Sequence, residues 1–215
     1  MRGNLGQNKE YCSKEGKEAF SFGACPKQGQ RVDLELLATE VRDRKRSADQ
    51  IAEEDPYAFH QYGRTLQKLE DIARAKTHRT WMTEGLWLYG ETGSGKSHRA
   101  FEGYDPETHY VLPVRDKGWW DGYCGQETVI VNDFRGEIAY AEMLNLVDKW
   151  PHYVPRRCRI PTPFLARKLI VTSSQTPEQV YNRRDEEDSI AQLRRRFVVE
   201  HMVRLQDTAT EVHRG

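Results

Sequence analysis

The chain has 215 residues, of which 37% are hydrophobic and 31% are charged. This length fits one large domain, or one ordinary domain with a smaller appendage, and the apolar content is sufficient for a packed core. Lys plus Arg and Asp plus Glu each number 33, so the net charge is zero; this excludes a globally basic chain, and a nucleic-acid site would have to be a local cluster of Arg or Lys.

The cysteine spacing and the hydropathy exclude further classes of protein. Cys12, Cys25, Cys124 and Cys158 lie far apart with no CxxC pair, which favours reduced thiols over a metal site or a disulfide framework. No apolar run approaches the roughly 18 residues of a membrane span, and the amino terminus lacks the apolar core of a secretory signal. The sequence therefore predicts a soluble, intracellular protein with no membrane partner.

The first eighty residues divide into two segments of different character. Residues 1–30 contain scattered Gly and Pro with little periodicity, and they do not look like a complete domain. Residues 31–80 carry apolar residues at helical spacing, with Pro56 expected to separate two helices. We interpret 31–80 as a helical linker or oligomerisation segment. Its apolar faces are Leu34, Leu37, Ala38 and Val41, and Leu66, Leu69, Ile72 and Ala73.

From residue 81 onward, short apolar strands alternate with helices. This alternation is typical of an α/β domain with a mainly parallel sheet, which we predict for residues 81–215. The predicted strands are Leu86–Tyr89, Val129–Val131 and Leu169–Thr172, and the predicted helices are Gly95–Phe101, Tyr140–Lys149 and Ser189–Arg196.

The segment GETGSGKS at residues 90–97 matches the phosphate-loop pattern GxxxxGK[ST]. Its glycines permit a tight turn whose N–H groups face phosphate oxygens, Lys96 would hold the β- and γ-phosphates, and Ser97 would bind the bridging Mg²⁺. The alternative is a flexible Gly/Ser surface loop, but an apolar strand before the loop and a helical pattern after it favour the phosphate site. ATP and Mg²⁺ are the predicted cofactors, bound by Gly90, Glu91, Thr92, Gly93, Ser94, Gly95, Lys96 and Ser97.

A second motif, TVIVND at residues 128–133, is a buried-type strand that ends in a carboxylate. Asp133 is predicted to hold Mg²⁺ through water opposite Ser97, so that Ser97 and Asp133 form the metal site. The alternative for this motif is an ordinary core strand that ends in an Asx turn.

Longer segments of unusual composition surround these motifs: QNKEYCSKEG, GACPKQGQRVDL, DKGWWDGYCGQETVIVNDFRGE, PFLARKLIVTSSQTP and LRRRF. With GETGSGKS, they resemble the replication initiators (Rep) of circoviruses and related circular single-stranded DNA viruses, over nearly the whole chain. The resemblance implies an AAA+-like P-loop NTPase of the superfamily 3 helicase type, preceded by a helical linker and by the end of an HUH-type nuclease domain. It also implies rolling-circle replication in the host nucleus.

In that family, YCSKEG is a nuclease motif, so the resemblance makes Tyr11 the DNA-attacking nucleophile and Lys14 its phosphate contact. The family's metal-binding histidine motif lies upstream of the tyrosine, and only ten residues precede Tyr11 here. The nucleophile is therefore present without its metal motif, as in an initiator truncated at its amino terminus. Because a tyrosine with a pKa near 10 needs such a metal, we expect no nicking by this chain alone.

The resemblance also assigns roles within the motor. Asn132 stands where the family usually has a first acid, and an amide cannot take a proton, so slow turnover is one expectation. Ser174 takes the place of a γ-phosphate-sensing Asn, and Arg195 or Arg196 corresponds to an arginine finger donated to a neighbouring subunit. These roles imply a homo-oligomeric ring, and the resemblance implies that this ring is a hexamer. The basic segment with Arg156, Arg157 and Arg159 is expected to be a stiff loop or hairpin that grips single-stranded DNA.

Several functions compete at this point. The leading interpretation is an ATP-dependent DNA helicase of a viral replication initiator. A nuclease-dead, slow ATPase that regulates mixed rings is the alternative favoured by Asn132 and Ser174. An RNA helicase of the same superfamily is also open, because the phosphate loop does not specify the strand chemistry. A small-molecule phosphotransferase has no acceptor-pocket motif here.

Overall fold

The computed structural model describes residues 32–113, 118–182 and 189–204. The chain divides into two compact units, Met1–Ala73 and Arg74–Gly215, which are described separately below.

The first unit is helical in its described part, and it contains three helices where the sequence predicted two. Pro56 opens the third helix at a position where its missing N–H costs nothing, and the Asp55 carboxylate accepts the Ala58 N–H at 3.0 Å. The additional break comes from Ser47, whose hydroxyl and Gln50 form a reciprocal capping box. The helices are α1 (Val32–Arg42), α2 (Ala48–Glu54) and α3 (Pro56–Ala75).

A small apolar cluster joins these helices. Ile51 and Leu66 are completely buried, and they pack with Val41, Ala48 and Tyr62. Of the residues predicted from periodicity, Ile72 is the exception, since 43% of it is exposed. The helical prediction for this segment is confirmed, and the face of α3 that holds Leu66 is the face that carries the core.

The second unit is an α/β domain built on a five-stranded, all-parallel sheet, which confirms the predicted fold class. The strands of this sheet are β1 (Glu84–Tyr89), β2 (His109–Val111), β3 (Thr128–Val131), β6 (Lys168–Ser173) and β7 (Phe197–His201). Their order across the sheet is β2-β3-β6-β1-β7. A separate antiparallel hairpin consists of β4 (Tyr153–Val154) and β5 (Thr162–Pro163). The helices are α4 (Lys96–Ala100), α5 (Tyr140–Leu146), α6 (Pro177–Val180) and α7 (Ala191–Arg196).

Both faces of the sheet carry apolar side chains, as expected for parallel strands. On one face, Trp87 and Val131 pack against Met143 and the aromatic side chains of Phe134 and Phe164. On the other face, Leu88, Ile130 and Ile170 meet Ala100 of α4. Trp120 and Tyr123, from the WWDGY segment, are buried in the larger core.

Candidate nucleotide site

The predicted phosphate loop lies at the carboxyl end of β1, the edge of a parallel sheet where ligands usually bind. All three of its glycines adopt backbone angles that side chains rarely allow, with φ of 146° at Gly90 and 85° at both Gly93 and Gly95. At Gly90 a Cβ would also lie 2.2 Å from the carbonyl oxygen of Met202. The loop conformation therefore favours glycine at all three positions, most strictly at Gly90.

Lys96 lies inside the loop, and its side chain is buried. Its ammonium group donates hydrogen bonds to the carbonyl oxygens of Gly90 at 2.8 Å and Glu91 at 2.6 Å, and to the hydroxyl of Ser94 at 3.3 Å. These oxygens hold the positive charge at the centre of the loop. A phosphate group bound there would provide stronger, charged acceptors for the same three N–H donors.

The structure brings Ser97 to Asn132 rather than to Asp133. The Ser97 hydroxyl donates to Asn132 Oδ1 at 2.9 Å, and the hydroxyl of Thr172 donates to the same oxygen at 2.8 Å. Thr172 in turn accepts the backbone N–H of Asp133 at 2.9 Å. The Thr172 hydroxyl thus accepts the Asp133 N–H and donates its single proton to Asn132, whose amide oxygen accepts from both hydroxyls.

Thr172, which is completely buried, is not among the site residues predicted from the sequence. A hydroxyl near the end of an otherwise apolar strand was the available signal. The bond from Asp133 N–H to Thr172 also holds Asp133 in a left-handed backbone conformation, with φ of 56°, which an Asp tolerates better than most residues. Thr172 therefore fixes both Asn132 and Asp133.

The donor chemistry fits Mg²⁺, which prefers oxygen ligands and keeps several waters beside substrate phosphates. Ser97 and Asn132 present oxygens 2.9 Å apart, and the exposed Asp133 is the carboxylate next to Asn132 in sequence. Among the described residues there is no group of three or more His, Cys, Asp or Glu that could hold a metal alone. The arrangement suits an ion that shares its ligands with a bound triphosphate.

Ser174 follows β6, whose partner in the register is β1: Ser173 pairs with Tyr89, so Ser174 lies beside the start of the phosphate loop. Ser174 is exposed, whereas the Ser173 hydroxyl is buried and donates to the carbonyl oxygen of Phe134 at 2.8 Å. Of this pair, Ser174 is the serine accessible to a ligand.

The basic segment forms the connection of the β4–β5 hairpin. Arg156 is buried, and its guanidinium donates to the carbonyl oxygen of Ile160 at 2.9 and 3.2 Å. Arg157 is exposed, and its guanidinium lies 2.6 Å from the Asp121 carboxylate. Arg156 thus shapes the connection from inside, and Arg157 and Arg159 are its more accessible arginines.

The three arginines of α7 have different surroundings. Arg194 pairs with Glu178, and Arg196 bonds the Asp148 carboxylate at 3.0 Å. Although burial alone would raise it, the pKa of Asp148 is held below its usual value by the Lys149 N–H and by Arg196. Arg195 is exposed, and its side chain makes no hydrogen bond or ion pair in the part of the chain that the structure describes. It lines a cleft of about 420 Å³ near the amino ends of β1 and β6.

The remaining predicted site residues, Tyr11 and Lys14, lie outside the described residues.

Several known proteins are similar to this chain in sequence. The RNA helicase family matches residues 86–175. The replication-associated protein of Porcine circovirus 2 is 39% identical over 181 residues, which cover 84% of this chain and 57% of that protein. The chain is a homologue of the circovirus replication-associated proteins. Other relatives are the replication-associated proteins of Beak and feather disease virus, 35% identical over 84% of this chain and 60% of that protein, and of Human associated cyclovirus 1, 35% identical over 85% and 66%.

This homology confirms the resemblance that the motifs indicated. The chain spans between 55% and 66% of the length of the curated replication-associated proteins that it matches. Among solved structures, the apo C-terminal region of NrS-1 has a TM-score of 0.40 and 15% identity, covering 80% of this chain and 39% of that one. Within the described residues, no helix is both long and apolar enough to cross a membrane.

Proposed function

We propose that this chain is the ATP-hydrolysing helicase portion of a viral rolling-circle replication initiator, and that it unwinds DNA during replication. The observation that carries the proposal is the contact of Ser97, in the phosphate loop, with Asn132 at the carboxyl edge of the sheet. That contact joins the two halves of an NTP–metal site in a chain homologous to circovirus replication-associated proteins.

The phosphate loop and the ends of the neighbouring strands have different roles in this proposal. The backbone N–H groups and Lys96 bind the phosphates, and Ser97 with Asn132 and Asp133 holds the Mg²⁺. When bound, Mg²⁺ neutralises charge that develops on the β- and γ-phosphates. Asp133, the exposed carboxylate beside this cluster, orients the attacking water, and Ser174 contacts the γ-phosphate.

The hairpin supplies the proposed contact with single-stranded DNA. Arg157 and Arg159 bind phosphates of the strand, while Arg156 keeps the connection in shape through its bonds to Ile160. Binding of this kind depends on released counterions, so it should weaken steeply with salt and show little sequence preference.

One observation favours RNA as a second candidate substrate. The family that matches residues 86–175 is described as RNA helicase, and phosphate contacts alone do not distinguish the two nucleic acids. A separate observation, the neutral Asn132 at the metal-facing position, favours a slow ATPase that acts as a regulatory subunit of mixed rings.

The test is ATP hydrolysis by the purified chain alone, with single-stranded DNA, and with single-stranded RNA of the same sequence. We expect stimulation by DNA, and we expect Lys96→Ala to lower turnover at least a hundredfold, since it removes the charge that stabilises the transferring phosphoryl group. Equal or greater stimulation by RNA would transfer the proposal to the RNA helicase. ATP binding with turnover no greater than that of Lys96→Ala would support the regulatory subunit instead.

A further inference from the structure

The segment that follows β7 runs directly across the phosphate loop. The backbone N–H of Met202 donates to the carbonyl oxygen of Tyr89 at 2.7 Å, so the segment meets the chain where the loop begins. Its backbone approaches Gly90 so closely that a Cβ there would lie 2.2 Å from the Met202 carbonyl oxygen. The first glycine of the loop is therefore required by this crossing as well as by its own backbone angle.

Arg204 extends the crossing to the middle of the loop. Its guanidinium donates to the carbonyl oxygen of Thr92 from Nε at 3.1 Å and from Nη2 at 2.5 Å. A Cβ built on Gly93 would lie 3.4 Å from Arg204 Nη2, so the cation lies against the glycine as well as the carbonyl. Arg99 of α4, which follows the loop, is linked to Glu200 of β7 at 2.8 Å. The loop and its following helix are thus both attached to residues 200–204.

The contact with Arg204 fixes the orientation of the peptide bond between Thr92 and Gly93. All peptide bonds in the described residues are trans, and in a trans peptide the C=O and N–H point in opposite directions. A Thr92 carbonyl that is held by Arg204 therefore directs the Gly93 N–H away from Arg204. In a phosphate loop, that N–H has to face the phosphates.

We propose that Arg204 is a positioning residue for the nucleotide: it holds the outer side of the phosphate loop so that the Gly93 N–H points at bound phosphate. Arg204 acts through the Thr92–Gly93 peptide without touching the nucleotide itself. The inference rests on the proposed ATP site. It makes the segment after β7 part of the nucleotide-binding apparatus.

The experiment measures dissociation constants of fluorescent ATP and ADP analogues for wild type, Arg204→Ala and Arg204→Lys. We expect Arg204→Ala to bind both nucleotides about fivefold more weakly, the effect of losing one oriented hydrogen-bond donor. Arg204→Lys keeps one donor and should bind within about twofold of wild type. Arg64→Ala is the matched control, because Arg64 is an exposed arginine of the first unit whose side chain makes no hydrogen bond or ion pair among the described residues.

The unfolding midpoint without nucleotide separates positioning from general destabilisation. It should be the same for Arg204→Ala and wild type, because Arg204 is exposed. Unchanged nucleotide affinity in Arg204→Ala would overturn the inference, and so would weakening of ATP alone, which would make Arg204 a γ-phosphate ligand. If wild type bound neither nucleotide, the proposed function itself would fail, an outcome readily distinguished from the other two.

Discussion

At the metal-facing edge of the site, one side chain decides the local charge. Asn132 offers Ser97 a neutral amide oxygen, and the resemblance to replication initiators places an acid at that position. A carboxylate there would add a full negative charge near a divalent ion, and such an interaction is worth several-fold in affinity even when water screens it. Asn132 should therefore set how much Mg²⁺ the proposed ATPase needs.

We predict that Asn132→Asp lowers the Mg²⁺ concentration for half-maximal ATP turnover by about tenfold, through this added charge. The measurement is an Mg²⁺ titration of turnover, together with binding of Mn²⁺ observed by electron paramagnetic resonance. Asn132→Ala is the control: unlike Asn132→Asp, it removes the oxygen that accepts from Ser97 and Thr172, and it adds no charge, so it should not lower the Mg²⁺ requirement. Equal Mg²⁺ requirements in Asn132→Asp and wild type would contradict the assignment of Asn132 to the metal.

Among the secondary-structure elements, α5 depends on a buried arginine for its termination. The helix ends at Leu146, and the last carbonyls of a helix have no partner within it. The Arg79 guanidinium, 1% exposed, donates to Leu146 at 2.7 Å, to Trp150 at 2.8 Å and also to Asn145. Burial lowers the pKa of Arg79, and the nearby Asp148 opposes that shift.

Arg79→Ala should reduce the free energy of unfolding of the second unit by on the order of 3 kcal/mol, since several carbonyls lose their donor at once. Arg79→Lys should fall between this variant and wild type, because an ammonium group cannot reproduce the fork of donors. Denaturant unfolding followed by tryptophan fluorescence is specific for this unit: all five tryptophans lie beyond residue 74. Arg135→Ala, an exposed arginine of the same unit, should cost less than about 0.5 kcal/mol. If Arg79→Ala reduced the free energy of unfolding as little as Arg135→Ala does, the capping role of Arg79 would be refuted.

Hydrophobic periodicity predicted the central strands of the sheet but not its edge strands. The strands β1, β3 and β6 have continuous apolar stretches, and their predicted positions are correct to within two residues. The edge strands β2 and β7 were missed, because β2 has only three residues and β7 mixes Val with Glu200 and His201. Such short segments become strands because each pairs with one neighbouring strand, β2 with β3 and β7 with β1. These partners are distant in sequence, so local propensity does not reveal them.

On the scale of the whole molecule, the position of Arg195 bears on the proposed ring. Arg195 lies just before β7, which runs parallel to β1 with Phe197 opposite Gly85 and His201 opposite Tyr89. The phosphate loop begins at the far end of these strands, about 16 Å away along five residues. Arg195 is therefore poorly placed to reach its own loop, which favours donation to the site of another copy.

We predict that Lys96→Ala and Arg195→Ala are each deficient in ATP turnover and that mixing them restores part of it. In randomly mixed rings about a quarter of the interfaces combine an intact Lys96 with an intact Arg195 from the neighbour. The measurement is turnover of a 1:1 mixture against each variant alone, with size-exclusion chromatography to record assembly. Wild-type turnover in Arg195→Ala, or a mixture no more active than its components, would exclude a finger in trans.

The sequence by itself determined the class of the second unit, its phosphate loop and its homology, because apolar periodicity and the GxxxxGK[ST] spacing are local patterns. It could not decide that Asn132 faces Ser97, that Thr172 fixes this amide, or that Arg204 holds the loop. Each of these contacts joins residues at least 35 positions apart. Such neighbours are created by the register of parallel strands, whose carboxyl ends meet at one edge of the sheet. That register depends on packing across the whole core, and it was settled only by the tertiary structure.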